Sequence, residues 1–227
     1  MEIQLRHCPS FGVARCLLGG NEALKVEAGA MLGHSLGLEL EAKMEGGLIK
    51  GLKRGVLGGE SLYVSTFTAP ANGGWIDVAA KLPGDLRVIE LDGSHGWLIE
   101  RGNWLASEAS VEIDTKWGGF KSLFGGEGGF MVHAGGRGKA VVASYGAIEP
   151  WPLQPGQTVV LDTNHVLAFP DTMQYELKRA VEGRSIQSAK SGEGFVFHFT
   201  GPGEVLIQTR NQQQLLAWIS TGIGSRE

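Results

Sequence analysis

The sequence predicts an all-β protein built from three internal β repeats in a pseudo-threefold arrangement, with few short helices. Three observations carry that prediction. Glycine supplies 36 of 227 residues, spread along the chain with no collagen period, the pattern of many tight turns between short strands. Apolar residues alternate with polar ones, as at Phe195, Phe197 and Phe199, which marks strands with one buried face. The chain also resembles itself at a fixed period, the signature of repeated supersecondary units.

The first block of the repeat reads "LLGGNEALKVEAGAMLGHS" from Leu17, "ELDGSHGWLIERGNWLASEAS" from Glu90 and "LQPGQTVVLDTNHVLAFPDT" from Leu153. Each copy runs through a turn, an apolar strand, an acid, a second turn and an apolar pair. Glu27, Glu100 and Asp162 correspond, followed two residues later by Gly29, Gly102 and Asn164. Glycine and asparagine tolerate positive φ, so one tight turn is expected three times. A second block, "GGESLYVSTF" (58–67), "GGEGGFMVHA" (125–134) and "SGEGFVFHFT" (191–200), aligns Glu60, Glu127 and Glu193 at a spacing of roughly 66 residues. These acids read as acceptors of backbone hydrogen bonds in a repeated Gly-Glu turn. Another strand follows each time: "GWIDVAAKL", "GKAVVASYG" and "GEVLIQTRN". The whole chain is then one all-β domain with repeats over about 13–85, 86–145 and 146–210, expected to close around a common axis. The tail 211–219 reads as a helix capped by Asn211.

Between the two blocks of every repeat lies an excursion: "KMEGGLIKGLKRGVL" (43–57), "TKWGGFKSLF" (115–124) and "KRAVEGRSIQSAKS" (178–191). Together they hold ten Lys and Arg against two Glu, a surplus of eight positive charges. The chain as a whole has 20 basic and 24 acidic residues, so the remainder carries ten against 22. Equivalent excursions on related units emerge on the same side, giving one basic face. Lys50, Lys53, Arg54, Trp117, Phe120, Lys121, Phe124, Arg179 and Arg184 are its candidate docking residues. Apolar side chains at near-helical spacing beside the lysines suit either packing against another subunit or an anionic membrane surface.

Composition excludes several classes. No apolar run reaches a membrane-spanning length, and the polar start "MEIQLRHCPSFGVARC" has no signal-peptide core, so a cytoplasmic protein is expected. Cys8 and Cys16 read as buried small hydrophobes rather than a disulfide or metal clip.

Gly33-His34-Ser35-Leu36-Gly37 matches the hydrolase form G-x-S-x-G, but "LELEA" alternates like a strand where that motif needs a helix, so Ser35 reads as a turn serine. The histidines, His133 and His198 included, are isolated, without the close pair a cupin metal site needs. "GGRGK" (135–139) and "GGEGG" (125–129) resemble phosphate loops, complete no such motif, and read as hairpin turns. No catalytic residue, cofactor or metal is expected.

The blocks "GGESLYVSTF", "GNWLASEASVEI", "GEGGFMVHAGGRGKAVVASYG", "LDTNHVLAF" and "GEGFVFHFTGPGEVLIQTRN" resemble the bacterial branch of the family named for altered inheritance of mitochondria, protein twenty-four. The resemblance spans nearly the whole chain. It implies a TRAP-like fold, similar to the tryptophan RNA-binding attenuation protein and related to the double-stranded β-helix. It also implies no agreed catalytic residues, and a structural role like that of the mitochondrial relative associated with the inner membrane and its organising complexes.

The expected function is a non-enzymatic scaffold or interaction protein that binds itself, a trimer being favoured, and docks an anionic membrane surface or a protein partner. RNA binding is the first alternative; the acidic balance and the lack of a basic and aromatic strand platform weigh against nucleic acid. An enzyme of cupin or hydrolase type is the second.

Overall fold

A computed structural model describes residues 1–45, 62–114, 131–180 and 195–223. The chain is predominantly β, with one α-helix among the described residues. The strands are β1 (Glu2–Arg6), β2 (Val13–Leu18), β3 (Ala23–Glu27), β4 (Met31–His34), β5 (Glu39–Glu45), β6 (Leu62–Thr68), β7 (Gly74–Ala79), β8 (Leu86–Asp92) and β9 (Trp97–Glu100). They continue as β10 (Trp104–Glu108), β11 (Val111–Asp114), β12 (Met131–Ala143), β13 (Ile148–Leu153), β14 (Thr158–Asp162), β15 (Val166–Pro170), β16 (Gln174–Arg179), β17 (Phe195–Thr200) and β18 (Gly203–Gln208). Short 3-10 turns cover Arg101–Asn103 and Thr163–His165, and α1 covers Gln212–Ile223.

Alternation sets the strand faces. In β2, Ala14, Cys16 and Leu18 are buried between half-buried neighbours, and in β3 Leu24 and Val26 are buried. Burial pushes the Cys16 thiol up to about 12, so it behaves as a small hydrophobe. Cys8 departs from the expectation: it is exposed, because it lies in the turn before the alternation of β2 begins.

One scheme of antiparallel partners recurs along the chain. Over residues 13–79, β7 lies between β2 and β4, while β6 lies between β3 and β5. Over 148–208, β18 lies between β13 and β15, and β17 between β14 and β16. Over 86–143 the single strand β12 fills both central places, its C-terminal half pairing β8 and β10 and its N-terminal half β9 and β11.

The segment "GGRGK", expected as a hairpin turn, is therefore internal to β12. Gly136 and Gly138 have φ of +84° and +145°, values that L side chains rarely adopt. They mark where the strand passes from one set of partners to the other.

Two seams join these groups. β3 pairs with β10 (Val26↔Ala106, Lys25↔Ser107, Leu24↔Glu108), and β9 pairs with β15 (Ile99↔Ala168, Leu98↔Phe169, Trp97↔Pro170). Each seam completes a run of six strands, β8-β12-β10-β3-β6-β5 and β13-β18-β15-β9-β12-β11. Two shorter sheets remain, β1-β2-β7-β4 and β14-β17-β16.

Among the described residues β4 pairs only with β7 and β14 only with β17, so closure of the structure through these two strands is not made within one chain. The buried core follows the seams. Leu24, Phe67, Ile76 and Leu105 form one cluster, Ile99, Trp104, Leu167 and Leu206 a second, and Leu98, Phe169, Phe197 and Phe199 a third.

Candidate interaction surface

Each acid aligned in the first repeat block sits at the end of its strand and begins a tight turn. Glu100 Oε2 accepts the Gly102 N–H at 3.2 Å, and Asp162 Oδ1 accepts the Asn164 N–H at 3.1 Å and its side-chain Nδ2 at 3.0 Å. Both carboxylates thus satisfy N–H groups that open the following 3-10 turns. At Glu27 the turn is made by the backbone: the Ala30 N–H donates to Glu27 O at 3.0 Å, and Gly29 has φ +87°, whereas Gly102 and Asn164 lie in 3-10 turns without positive φ, so the positive-φ turn expected three times occurs once. The Glu27 carboxylate is free to pair instead with Lys81 Nζ at 2.8 Å. Glu60, Glu127 and Glu193 lie outside the described residues.

A small cleft of about 110 Å³ lies beside the Gly102 turn, lined by Glu27, Lys81, Asn103, Tyr145 and Gln212 among others. Asn103 is 1% exposed and its Nδ2 donates to Ala143 O and Gln208 Oε1, at 2.6 and 3.0 Å. Burial pushes the neighbouring Glu100 carboxyl up to about 7, and Glu27 adds to the effect, while the Gly102 N–H and Arg101 oppose it. Sequence reasoning grouped Glu100 with Glu27 and missed this difference, which arises from burial in the folded chain and leaves no mark in the local sequence.

Lys50, Lys53, Arg54, Trp117, Phe120, Lys121, Phe124 and Arg184 lie outside the described residues. Arg179 is the last residue of β16, where it pairs with Phe195. The strands that flank the three excursions are antiparallel partners of one another, with terminal pairs Glu45↔Leu62, Asp114↔His133 and Arg179↔Phe195. Each excursion therefore joins the two strands of one ladder.

Ser35 follows β4 and leads through a turn to β5, with no helix, and its Oγ accepts the Trp75 N–H at 3.0 Å. That is the turn serine expected from the sequence. His133 and His198 hold matching places, opposite Leu98 and Val160, and His133 Nε2 lies 2.9 Å from Asp171 Oδ2. Among the described residues no group of three His, Cys, Asp or Glu is placed to hold a metal, and no helix is long and apolar enough to cross a membrane. The Asn211 side chain accepts the N–H groups of Gln213 and Gln214 at 2.8 and 3.3 Å, capping α1.

Sequence reasoning also missed that apolar side chains on β4 and β14 face solvent: Met31 is 41% exposed, Leu32 60% and Val160 55%. The available signal was the lack of charged residues in "MLGH" and "TVVL", which a strand with only one partner rarely tolerates.

The fold agrees with what the chain resembles. It is 29% identical over 197 residues to an uncharacterised protein of Streptococcus pyogenes serotype M6, covering 83% of this chain and 77% of that one. A crystal structure of a Streptococcus pyogenes protein superimposes with a TM-score of 0.78 at 24% identity, covering 96% of this chain and 97% of the other, a likeness of fold. The family model for mitochondrial biogenesis AIM24 matches residues 3–210, and the chain belongs to that family.

Proposed function

We propose that this protein is a non-enzymatic, cytoplasmic, homo-oligomeric scaffold of three like units in a TRAP-like, pseudo-threefold arrangement, with a trimer favoured. Its basic excursions dock an anionic membrane surface or a protein partner. The observation that carries this reading is the partner scheme found three times, in which every excursion joins the two strands of one antiparallel ladder. Units paired alike carry their excursions at matching places, and between the terminal strand pairs the three excursions hold seven basic residues against four acidic ones, with Lys43 in β5 and Lys178 and Arg179 in β16, while the rest of the chain is acidic. A face of that charge attracts anionic lipid, each Lys or Arg near the surface contributing about 1 kcal/mol. Apolar residues beside the lysines, Trp117 and Phe120 among them, suit the boundary between headgroup and acyl chain.

Co-sedimentation with phosphatidylserine-containing vesicles tests the reading. Binding is expected at low salt, weakening as salt rises, and the triple change of Lys50, Lys53 and Arg54 to Ala is expected to lower the affinity by at least tenfold. Binding unchanged by the triple substitution, or absent at low salt, would remove membrane docking.

A further inference from the structure

We propose that β4 of one copy pairs with β14 of a second copy, so that the protein associates head to tail by continuing its own sheets across the boundary between chains. The proposal rests on the reading of three like units and names the surface through which the oligomer forms. Within the chain, the third strand of a unit always pairs with the second strand of the unit before it: β10 with β3, and β15 with β9. That rule leaves two strands without a mate, β4 at the start and β14 at the end. The half-sheets they border, β2-β7-β4 and β14-β17-β16, join to give the same six-strand order that the two internal seams complete.

Local geometry agrees with the rule. β4 carries a register shift between Met31 and Gly33 on β7, as β10 does between Trp104 and Ala106 on β12 and β15 between Val166 and Ala168 on β18. This irregularity aligns the three strands independently of sequence. Carrying the internal seams' register across gives Gly33↔Leu161, His34↔Val160 and Ser35↔Val159. At Gly33 a Cβ would meet nothing within 4 Å, so that edge is open.

Burial and charge select these two edges from the others. Leu105 and Leu167, the counterparts of Leu32, are 1% and 0% exposed, and Val160 corresponds to Leu98, 1% exposed, and to the half-buried Lys25; Leu32 and Val160 are 60% and 55% exposed. Met31 and Leu32 are thus left in water at positions where both internal seams bury their counterparts, Trp104 and Leu105 in one and Val166 and Leu167 in the other. The remaining edge strands β1, β5, β8, β11, β13 and β16 carry blocking residues such as Glu2, Glu41, Glu90, Glu112, Pro150 and Glu176, the usual guards against pairing with another chain. β4 has no charged residue or proline, and β14 has only Asp162, which is engaged in its own turn. Because one edge meets a different edge, the contact is heterologous and every copy both gives and receives it.

Light scattering on Leu32→Lys and Val160→Lys tests this. The wild-type protein is expected at a multiple of its 24.2 kDa mass and each variant alone at the monomer mass. An equimolar mixture should form a one-to-one pair, because the intact β14 of the first variant meets the intact β4 of the second. A monomeric wild type, variants that stay oligomeric, or monomers that fail to pair on mixing would each overturn the proposal.

Should the lysine variants not melt cooperatively, His34→Cys with Val160→Cys in a Cys8→Ser background decides: oxidation is expected to give a ladder of cross-linked chains, and its absence overturns the pairing. Oligomers that persist in both lysine variants would sink this surface but leave self-association standing. Vesicle binding depends on the excursions and is measured separately.

Discussion

Replacing Glu100 by glutamine is expected to stabilise the protein at neutral and alkaline pH and to leave it unchanged in acid. Two effects compete at this position. As the residue that opens the 3-10 turn, an ionised Glu100 accepts the Gly102 N–H at 3.2 Å, worth about 1 kcal/mol for a cap. Burial opposes ionisation and raises the carboxyl from 4.5 to about 7.

The raised value fixes the sign. The unfolded chain loses this proton near pH 4.5 while the folded chain holds it to about 7, so folding stability falls as pH rises between the two. At about 1.4 kcal/mol per tenfold change in proton affinity, the penalty at pH 8 has an upper bound of about 3 kcal/mol. The partial exposure of Glu100 leaves about 1–2 kcal/mol after solvent screening. Glutamine keeps an oxygen for the Gly102 N–H without the charge. Urea unfolding at fixed protein concentration from pH 4 to pH 8 should show the two curves meeting at pH 4 and the variant about 1–2 kcal/mol more stable at pH 8. A variant less stable at pH 8 would refute the reasoning, since it would mean that capping by the carboxylate outweighs its burial.

Two further substitutions test the packing. Phe169→Ala removes a fully buried ring that meets Phe199, Tyr175 and Phe197 at centroid distances of 4.8, 5.3 and 6.0 Å, and should cost about 3–5 kcal/mol in urea unfolding. Asp77→Asn weakens a carboxylate held by Arg15 at 2.9 and 2.8 Å and by Arg6 at 2.8 Å. Arg15 keeps the Asp77 carboxyl below its ordinary 3.8, so its contribution is present above that value and is lost as pH falls through the depressed one. A loss of about 1 kcal/mol is expected at pH 7, after solvent screening, and none in strong acid.

Local pattern carried the strands well because burial of alternate side chains is a nearest-neighbour property. Phe197 and Phe199 are buried as the alternation of β17 predicts, with His198 between them half-buried, but Val196 is buried and Phe195 only half-buried at the start of the strand. The aligned turn acids were legible as a set, but their separate fates were not. Glu27 finds Lys81 from a distant loop while Glu100 is half-buried, and burial together with the nearby Glu27 raises its carboxyl; both outcomes depend on contacts far away in sequence. For the same reason "GGRGK" misled: two glycines that suit a reversal also suit a strand that changes partners, and only the positions of β8, β9, β10 and β11 decide between them.

The edge strands follow from the same distinction. Sequence alignment makes Met31-Leu32, Trp104-Leu105 and Val166-Leu167 equivalent, and equivalence alone predicts equal burial. Burial is unequal because β10 and β15 each have strand partners on both sides, while β4 pairs only with β7 and β14 only with β17 among the described residues. A row of identical units would leave such ends in any repeat protein, and solubility then requires them to be capped by polar residues. Here β4 and β14 keep the apolar character of internal strands while the other edges carry charge or proline. A strand that retains an interior's composition at an exterior place is suited to becoming interior, and the complementary half-sheet that would enclose it lies at the opposite end of the same sequence.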